Sequence, residues 1–125
     1  MDPTDTTIDP ARVRLSVDAH GVAEVAMVRS DKMNALDAAM FRSLTGAIDR
    51  LQADAAVRVV VVHGEGRAFC AGLDKSRFGE MAGGGSNSTQ GTLGDLVPRT
   101  RGIANAAQSV AWGWRELPVP VIAAV

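Results

Sequence analysis

The stretch of sequence that decides the fold is VRVVVVHGEGRAFCAGLD, residues 57–74. Its first six residues are nearly all valine, which is typical of a β-strand covered on both faces. Gly64 and Gly66 end this strand, and residues 67–74 are predicted to form a loop. A parallel strand of this kind needs a crossover helix on its face, so the stretch predicts an α/β fold.

The residues before this stretch predict a hairpin and a helix. Residues 13–17 alternate between apolar and polar, and residues 22–28 predict a second strand after a turn at His20-Gly21. From Asp37 the period changes to three and four residues, which predicts a helix whose apolar face carries Phe41, Leu44, Ile48 and Leu51. Asp37 is the predicted N-cap, because its carboxylate can accept a hydrogen bond from a first-turn amide.

The residues after the stretch predict further turns, a helix and a strand. Residues 75–81 fit one or two helical turns, and the Gly/Ser-rich residues 83–91 predict a flexible loop. A second helix is predicted over residues 99–116, before Pro118, with an apolar face of Ile103, Ala107, Val110 and Trp114. Residues 121–125 then predict a buried strand.

Composition excludes several classes of function. The chain has 125 residues and a net charge of −1, so it lacks the basic surface of a nucleic-acid-binding protein. No apolar run approaches the length of a membrane helix, and the polar N-terminus does not resemble a signal peptide. Cys70 is the single cysteine, which excludes an internal disulfide and favours a reducing cytoplasm. Residues 1–11 are predicted to be a flexible tail.

The order of predicted elements, β-β-α-β-loop-α-β, leaves the last apolar strand without a covering segment. We therefore expect residues 12–125 to be the N-terminal half of a larger domain, and residues 1–125 alone not to unfold cooperatively as a monomer. The alternative is a complete 125-residue domain with this strand at a sheet edge. Exposed apolar edges promote aggregation, which favours the first interpretation.

Three segments, in this order and spacing, resemble the crotonase (enoyl-CoA hydratase/isomerase) superfamily. They are DKMNAL at residues 31–36, the run over residues 57–74, and ELPVPVIAAV at residues 116–125. The resemblance implies a crotonase-like α/β core of repeated β-β-α units, incomplete in this chain. It also implies an acyl-CoA thioester as the substrate and a homotrimer or hexamer as the assembly.

The resemblance assigns roles to eight residues. The backbone N–H of Leu73 becomes one donor of an oxyanion hole, which stabilises negative charge on a thioester oxygen. The CoA path is implied along Lys32, Ala35, Ala71, Gly72, Leu73, Asp74, Lys75 and Ser76. The second donor and the catalytic acid and base are expected beyond Val125. Neither a metal nor a separate cofactor is expected, because coenzyme A is part of the substrate.

Simpler roles compete with these assignments. Asp74 is better explained as the N-cap of a following helical turn, and Asn34 as a hydrogen-bonding residue that holds the loop. Lys32 is equally well explained as a solvated surface residue. Cys70 and His63 lack a third group to orient them, so an inert thiol is favoured over a catalytic pair. A non-catalytic acyl-CoA-binding or structural relative is the alternative function, and carboxylates beyond residue 125 would discriminate the two.

Overall fold

The computed structural model describes residues 7–76 and 97–125. Its elements are β1 (Val13–Val17), β2 (Val22–Met27), α1 (Ala38–Ala53), β3 (Val59–Gly64), α2 (Ala106–Glu116) and β4 (Val121–Ala124). A 3-10 turn at Ser30–Lys32 lies between β2 and α1. The predicted loop over residues 83–91 and most of the predicted turns over residues 75–81 lie outside the described part of the chain.

The four strands form one sheet in the order β1-β2-β3-β4. β1 and β2 are an antiparallel hairpin, whereas β2, β3 and β4 run parallel. In this register Val25 lies opposite Leu15 and Val62, and Val62 lies opposite Ala123. Paired residues share a face of the sheet, so one continuous apolar face results. That face packs against α1 and forms the core.

Helix α1 matches its prediction. The Asp37 carboxylate accepts a hydrogen bond from the Met40 amide at 2.8 Å, as an N-cap does. Burial alone raises the pKa of Asp37, but hydrogen bonds from Arg12 and the Met40 amide outweigh it, so the pKa lies below its ordinary value. The predicted apolar face is buried and includes Phe41, Leu44, Ile48 and Leu51.

The second helix begins later than predicted. It starts at Ala106, where the Asn105 and Gln108 side chains form a capping box, and not at residue 99. Before it, Arg101 and Ala104 exchange backbone hydrogen bonds around a tight turn, with Gly102 at φ 66°. The turn leaves Ile103 71% exposed, so its predicted place on the apolar face is wrong. Val110 and Trp114 do pack against the core, as predicted.

Burial of the last two strands also differs from the prediction. In β3, Val60 and Val62 are buried whereas Val59 and Val61 are half-buried, so the described helices cover one face only. β4 is the edge strand of the described sheet, and its Ile122 pairs with Val61 on the uncovered face, which explains why Ile122 is 54% exposed. Val57, predicted to begin β3, is buried in the core but lies two residues before the strand.

The residues just before β1 contact the core. Ile8 packs against the hydrophobic cluster, and the Asp9 amide donates a hydrogen bond to the Ser43 hydroxyl at 3.0 Å. Residues 1–6 of the predicted tail lie outside the described range. No helix within residues 7–76 and 97–125 is long and apolar enough to cross a bilayer.

We expect Gly21→Ala to destabilise the protein more than Gly102→Ala does. Both glycines have positive φ, but a Cβ on Gly21 would lie 2.5 Å from the Ala56 carbonyl oxygen, whereas one on Gly102 meets no described atom within 4 Å. Gly21→Ala should lower the free energy of unfolding by about 2–4 kcal/mol. Gly102→Ala should lower it by about 1–2 kcal/mol. Denaturant unfolding of the complete gene product checks this, and equal losses would contradict the packing at Gly21.

Candidate active site

Two segments predicted to lie along the CoA path are neighbours in the structure. The Ala71 amide donates to the Met33 carbonyl at 2.9 Å, and the Leu36 amide donates to the Gly72 carbonyl at 2.7 Å. The Asp74 amide donates back to the Leu36 carbonyl at 3.0 Å. The last two bonds form a single parallel β-bridge between Leu36 and Leu73, called the bridge below.

The bridge directs the Leu73 amide away from the neighbouring segment. In a planar trans peptide the N–H and the preceding C=O point in opposite directions. The Gly72 carbonyl points at Leu36, so the Leu73 N–H points to the other side. Within the described residues, no group accepts a hydrogen bond from it. The backbone N–H predicted as the oxyanion donor thus points away from Leu36 and has no acceptor within residues 7–76 and 97–125.

Gly72 forms the backbone turn that precedes this amide. Its φ is 89°, a conformation that L side chains rarely adopt, so the predicted backbone turn is confirmed. A Cβ added at Gly72 would meet no described atom within 4 Å. The positive φ, rather than crowding by the protein, favours glycine here.

Asn34 holds the loop that precedes Gly72. Its side chain is fully buried, and its Nδ2 donates to the carbonyls of Glu65 at 3.0 Å and Ala68 at 2.9 Å. Its Oδ1 accepts from the Arg29 amide at 2.9 Å. A Cβ on Gly64 would lie 2.6 Å from Asn34 Nδ2, so the glycine permits the close contact. The prediction that Asn34 holds the loop is confirmed.

Arg29 is a residue that the sequence analysis missed. Its Nη1 lies 2.7 Å from Asp74 Oδ2, 3.0 Å from the Ala35 carbonyl oxygen and 3.5 Å from Asp37 Oδ2. The Arg29 side chain is 13% exposed and that of Asp74 is 14% exposed. A largely buried arginine needs carboxylate partners, but its burial follows from tertiary packing and leaves no local signal in the sequence.

Asp74 has both carboxylate oxygens occupied. Oδ1 accepts from the Ser76 amide at 2.9 Å and the Ser76 hydroxyl at 2.8 Å, while Oδ2 binds Arg29. The Ser76 amide, the Ser76 hydroxyl and Arg29 together lower the pKa of Asp74 to about 2. Asp74 thus makes the contact predicted for an N-cap, and it is ionised at neutral pH.

The remaining predicted residues flank the bridge. Lys32 and Lys75 are exposed, and no described residue forms an ion pair with either ammonium group. Lys32 ends the 3-10 turn just before Met33, and Lys75 follows Asp74, so the two lysines flank opposite strands of the bridge. Ala35 is buried whereas Ala71 is exposed.

His63 and Cys70 do not form a catalytic pair. His63 Nε2 lies 3.0 Å from Glu24 Oε1 on the sheet face opposite the core. Cys70 is a free, half-buried thiol that packs against the hydrophobic cluster. The sequence-based preference for an inert thiol agrees with these contacts.

The two tryptophans line different surfaces. Trp114 is half-buried, donates its indole N–H to the Val110 carbonyl at 2.7 Å, and lines an open apolar groove with Phe69 and Val121. Trp112 is 38% exposed, stacks on Arg115 at 5.6 Å and lines a separate cleft between α1 and α2.

Comparison with known proteins identifies the family. The family model for enoyl-CoA hydratase/isomerase matches residues 18–125, so the chain belongs to that family. A probable enoyl-CoA hydratase from Rhodobacter capsulatus is 35% identical over 107 residues, which cover 86% of this chain and 35% of that protein. The chain therefore spans about a third of the length of this curated relative.

Solved structures confirm the crotonase-like α/β fold. The Pseudomonas aeruginosa protein PA4980 superposes with a TM-score of 0.73 at 28% identity, over 95% of this chain and 46% of that one. A putative enoyl-CoA hydratase/isomerase from Mycobacterium abscessus gives 0.68 at 26% identity, over 90% and 40%. The predicted superfamily and fold class are confirmed over the part of the fold that this chain spans.

We expect the stability contributed by Asp74 to depend on pH below about 4. Because folding lowers its pKa from 3.8 to about 2, the contribution is present above the unfolded pKa and is lost as pH falls toward 2. In the complete gene product, the difference in unfolding temperature between wild type and Asp74→Asn should be constant above pH 5 and shrink below about 4. Arg29→Gln should raise the folded pKa of Asp74, which narrows this window from its low-pH side and reduces the contribution. A difference that is unchanged down to pH 2 would contradict the assignment.

Proposed function

We propose that this chain forms the acyl-CoA-binding and oxyanion-stabilising part of an enzyme of the enoyl-CoA hydratase/isomerase type. The observation that carries the proposal is the Leu73 N–H, which faces away from the bridge and has no acceptor among the described residues. In this proposal the thioester oxygen accepts from Leu73 and from a second amide outside residues 1–125. Loss of one such donor typically costs about 3 kcal/mol of transition-state stabilisation.

The chemistry explains why such a donor is useful. Removal of a proton next to a thioester carbonyl, or addition of water to a conjugated enoyl thioester, places negative charge on the thioester oxygen. A fixed N–H stabilises that charge without having to reorganise during the reaction. The family match and the names of the relatives, such as probable enoyl-CoA hydratase, support this class of reaction.

The carboxylates beside the bridge are unsuited to acid–base catalysis. Asp74 is bound by Arg29 and Ser76, and Asp37 caps α1 while pairing with Arg12. Both have lowered pKa values, so neither holds a proton to donate at neutral pH. We therefore assign the catalytic acid and base to neither Asp37 nor Asp74, and we place them beyond Val125, as the family resemblance implies.

The CoA portion is assigned to both sides of the bridge. Lys32 and Lys75 supply positive charge for the phosphates, and the backbone near Ala35 and Ala71 meets the nucleotide and pantetheine. Asp74 and Ser76 hydrogen-bond to each other. We therefore propose that they fix the conformation of the loop and do not donate or accept hydrogen bonds with CoA. The proposal needs no separate cofactor. It includes a trimeric or hexameric assembly in the cytoplasm.

We expect the complete gene product to hydrate trans-2-enoyl-CoA substrates of short or medium chain length. The conjugated thioester absorbs in the ultraviolet, so hydration appears as a loss of that absorbance. If the protein binds acyl-CoA but catalyses neither hydration nor double-bond isomerisation at a detectable rate, the enzymatic proposal is contradicted. That outcome would indicate a non-catalytic acyl-CoA-binding relative.

We expect replacement of the Leu73 backbone amide by an ester to reduce kcat by about 10²- to 10³-fold, because the ester lacks the N–H donor. The matched control is Leu73→Ala, which keeps the amide and removes most of a side chain that is 39% exposed. This control should retain kcat near the wild-type value. Equal losses in the two variants would assign the effect to the side chain and contradict the oxyanion role.

A further inference from the structure

We infer that Arg29 is a positioning residue that holds the Leu73 amide in the direction a thioester oxygen requires. The inference rests on the proposed function of Leu73. Arg29 follows β2 by two residues, and its guanidinium group reaches both strands of the bridge.

The contacts of Arg29 lie directly beside the paired residues. Nη1 binds the carbonyl of Ala35, which precedes Leu36, and the carboxylate of Asp74, which follows Leu73. One guanidinium thus connects the two strands of the bridge immediately next to its hydrogen bonds. Both side chains are largely shielded from solvent, so the ion pair is screened less than a surface pair.

The Leu73 peptide depends on polar contacts for its orientation. Gly72, the residue before it, is conformationally permissive, and no described atom lies where its side chain would be. Side-chain packing therefore does not restrain this peptide at Gly72. The restraint comes from the Leu36 amide on one side and the Arg29–Asp74 pair on the other.

Arg29 is itself anchored to the core. Its amide donates to Asn34 Oδ1, and its carbonyl accepts from the Asn34 amide at 2.9 Å. Nη1 also lies 3.5 Å from Asp37, the N-cap of α1. The Leu73 amide is thereby held in a fixed relation to β2 and α1. A displacement of about 1 Å at a reacting group can reduce the rate about 100-fold, so this anchoring matters for catalysis.

The test uses the complete gene product with Arg29→Gln, Arg29→Lys and Asp74→Asn. The control, Arg14→Gln, removes the same charge from an exposed pair with Glu65 that does not touch the bridge. We measure kcat and KM with an enoyl-CoA, the Kd of free CoA, and the absorbance of a bound aryl-conjugated enoyl-CoA. That absorbance band moves to longer wavelength when hydrogen bonds polarise the thioester carbonyl.

Arg29→Gln should lower kcat about 10- to 100-fold and reduce the wavelength shift, with the Kd of free CoA unchanged. Arg29→Lys should recover part of kcat and part of the wavelength shift, because its ammonium group keeps the charge but lacks the planar, forked donors of a guanidinium group. Arg14→Gln should behave as wild type. If Arg29→Gln fails to fold, Arg29→Lys and Asp74→Asn decide: a lower kcat with normal CoA affinity supports the inference.

Two failures are distinguishable. If wild-type protein binds the enoyl-CoA without a wavelength shift, the oxyanion role of Leu73 fails, and the role of Arg29 fails with it. If the wild type shows the shift and turnover, but the Arg29 and Asp74 variants keep both in full, only the positioning role is overturned. An equal change in Arg14→Gln also overturns it, since a general charge effect would then explain the result.

Discussion

The candidate site depends on the hydrogen bonds of the buried Asn34 side chain. It joins the backbone after β2 to the loop after β3, through bonds to Arg29, Glu65 and Ala68. An apolar residue in its place would leave three backbone groups without these partners, and each unsatisfied buried group costs about 1–3 kcal/mol. Asn34 also has a φ of 55°, a left-handed conformation that asparagine tolerates better than most residues.

The direction of the Leu73 N–H follows from the contacts of Asn34. Asn34 holds the segment that carries Leu36, and Leu36 binds the Gly72 carbonyl. The planarity of the next peptide then turns the Leu73 N–H outward. The site is thus made mainly from backbone groups, while the nearby charged side chains, Arg29 and Asp74, bind each other. In the proposed function, the Leu73 N–H stabilises charge on a ligand oxygen, while Arg29 and Asp74 supply neither an acid nor a base.

The sequence predicts a helix or strand correctly where the residues that determine it lie close together in the chain. The hairpin and α1 were predictable because alternation, helical period and an N-cap act within a few residues, as at Asp37. The start of α2 was not, because the turn around Gly102 and the Asn105 cap interrupt an otherwise helical pattern. The oxyanion role of Leu73 is a prediction from family resemblance alone, since a backbone N–H leaves no mark in side-chain composition. Arg29 was missed because its partners lie up to 45 residues away.

The most direct test is a crystal structure of the complete gene product with an unreactive acyl-CoA thioester analogue. We expect the thioester oxygen within about 2.7–3.2 Å of the Leu73 nitrogen, the distance of an N–H···O hydrogen bond. We also expect the Leu36–Leu73 bridge and the Arg29–Asp74 pair to be retained in the complex. A thioester oxygen bound elsewhere, with the Leu73 N–H donating to a protein group, would contradict the oxyanion role of Leu73.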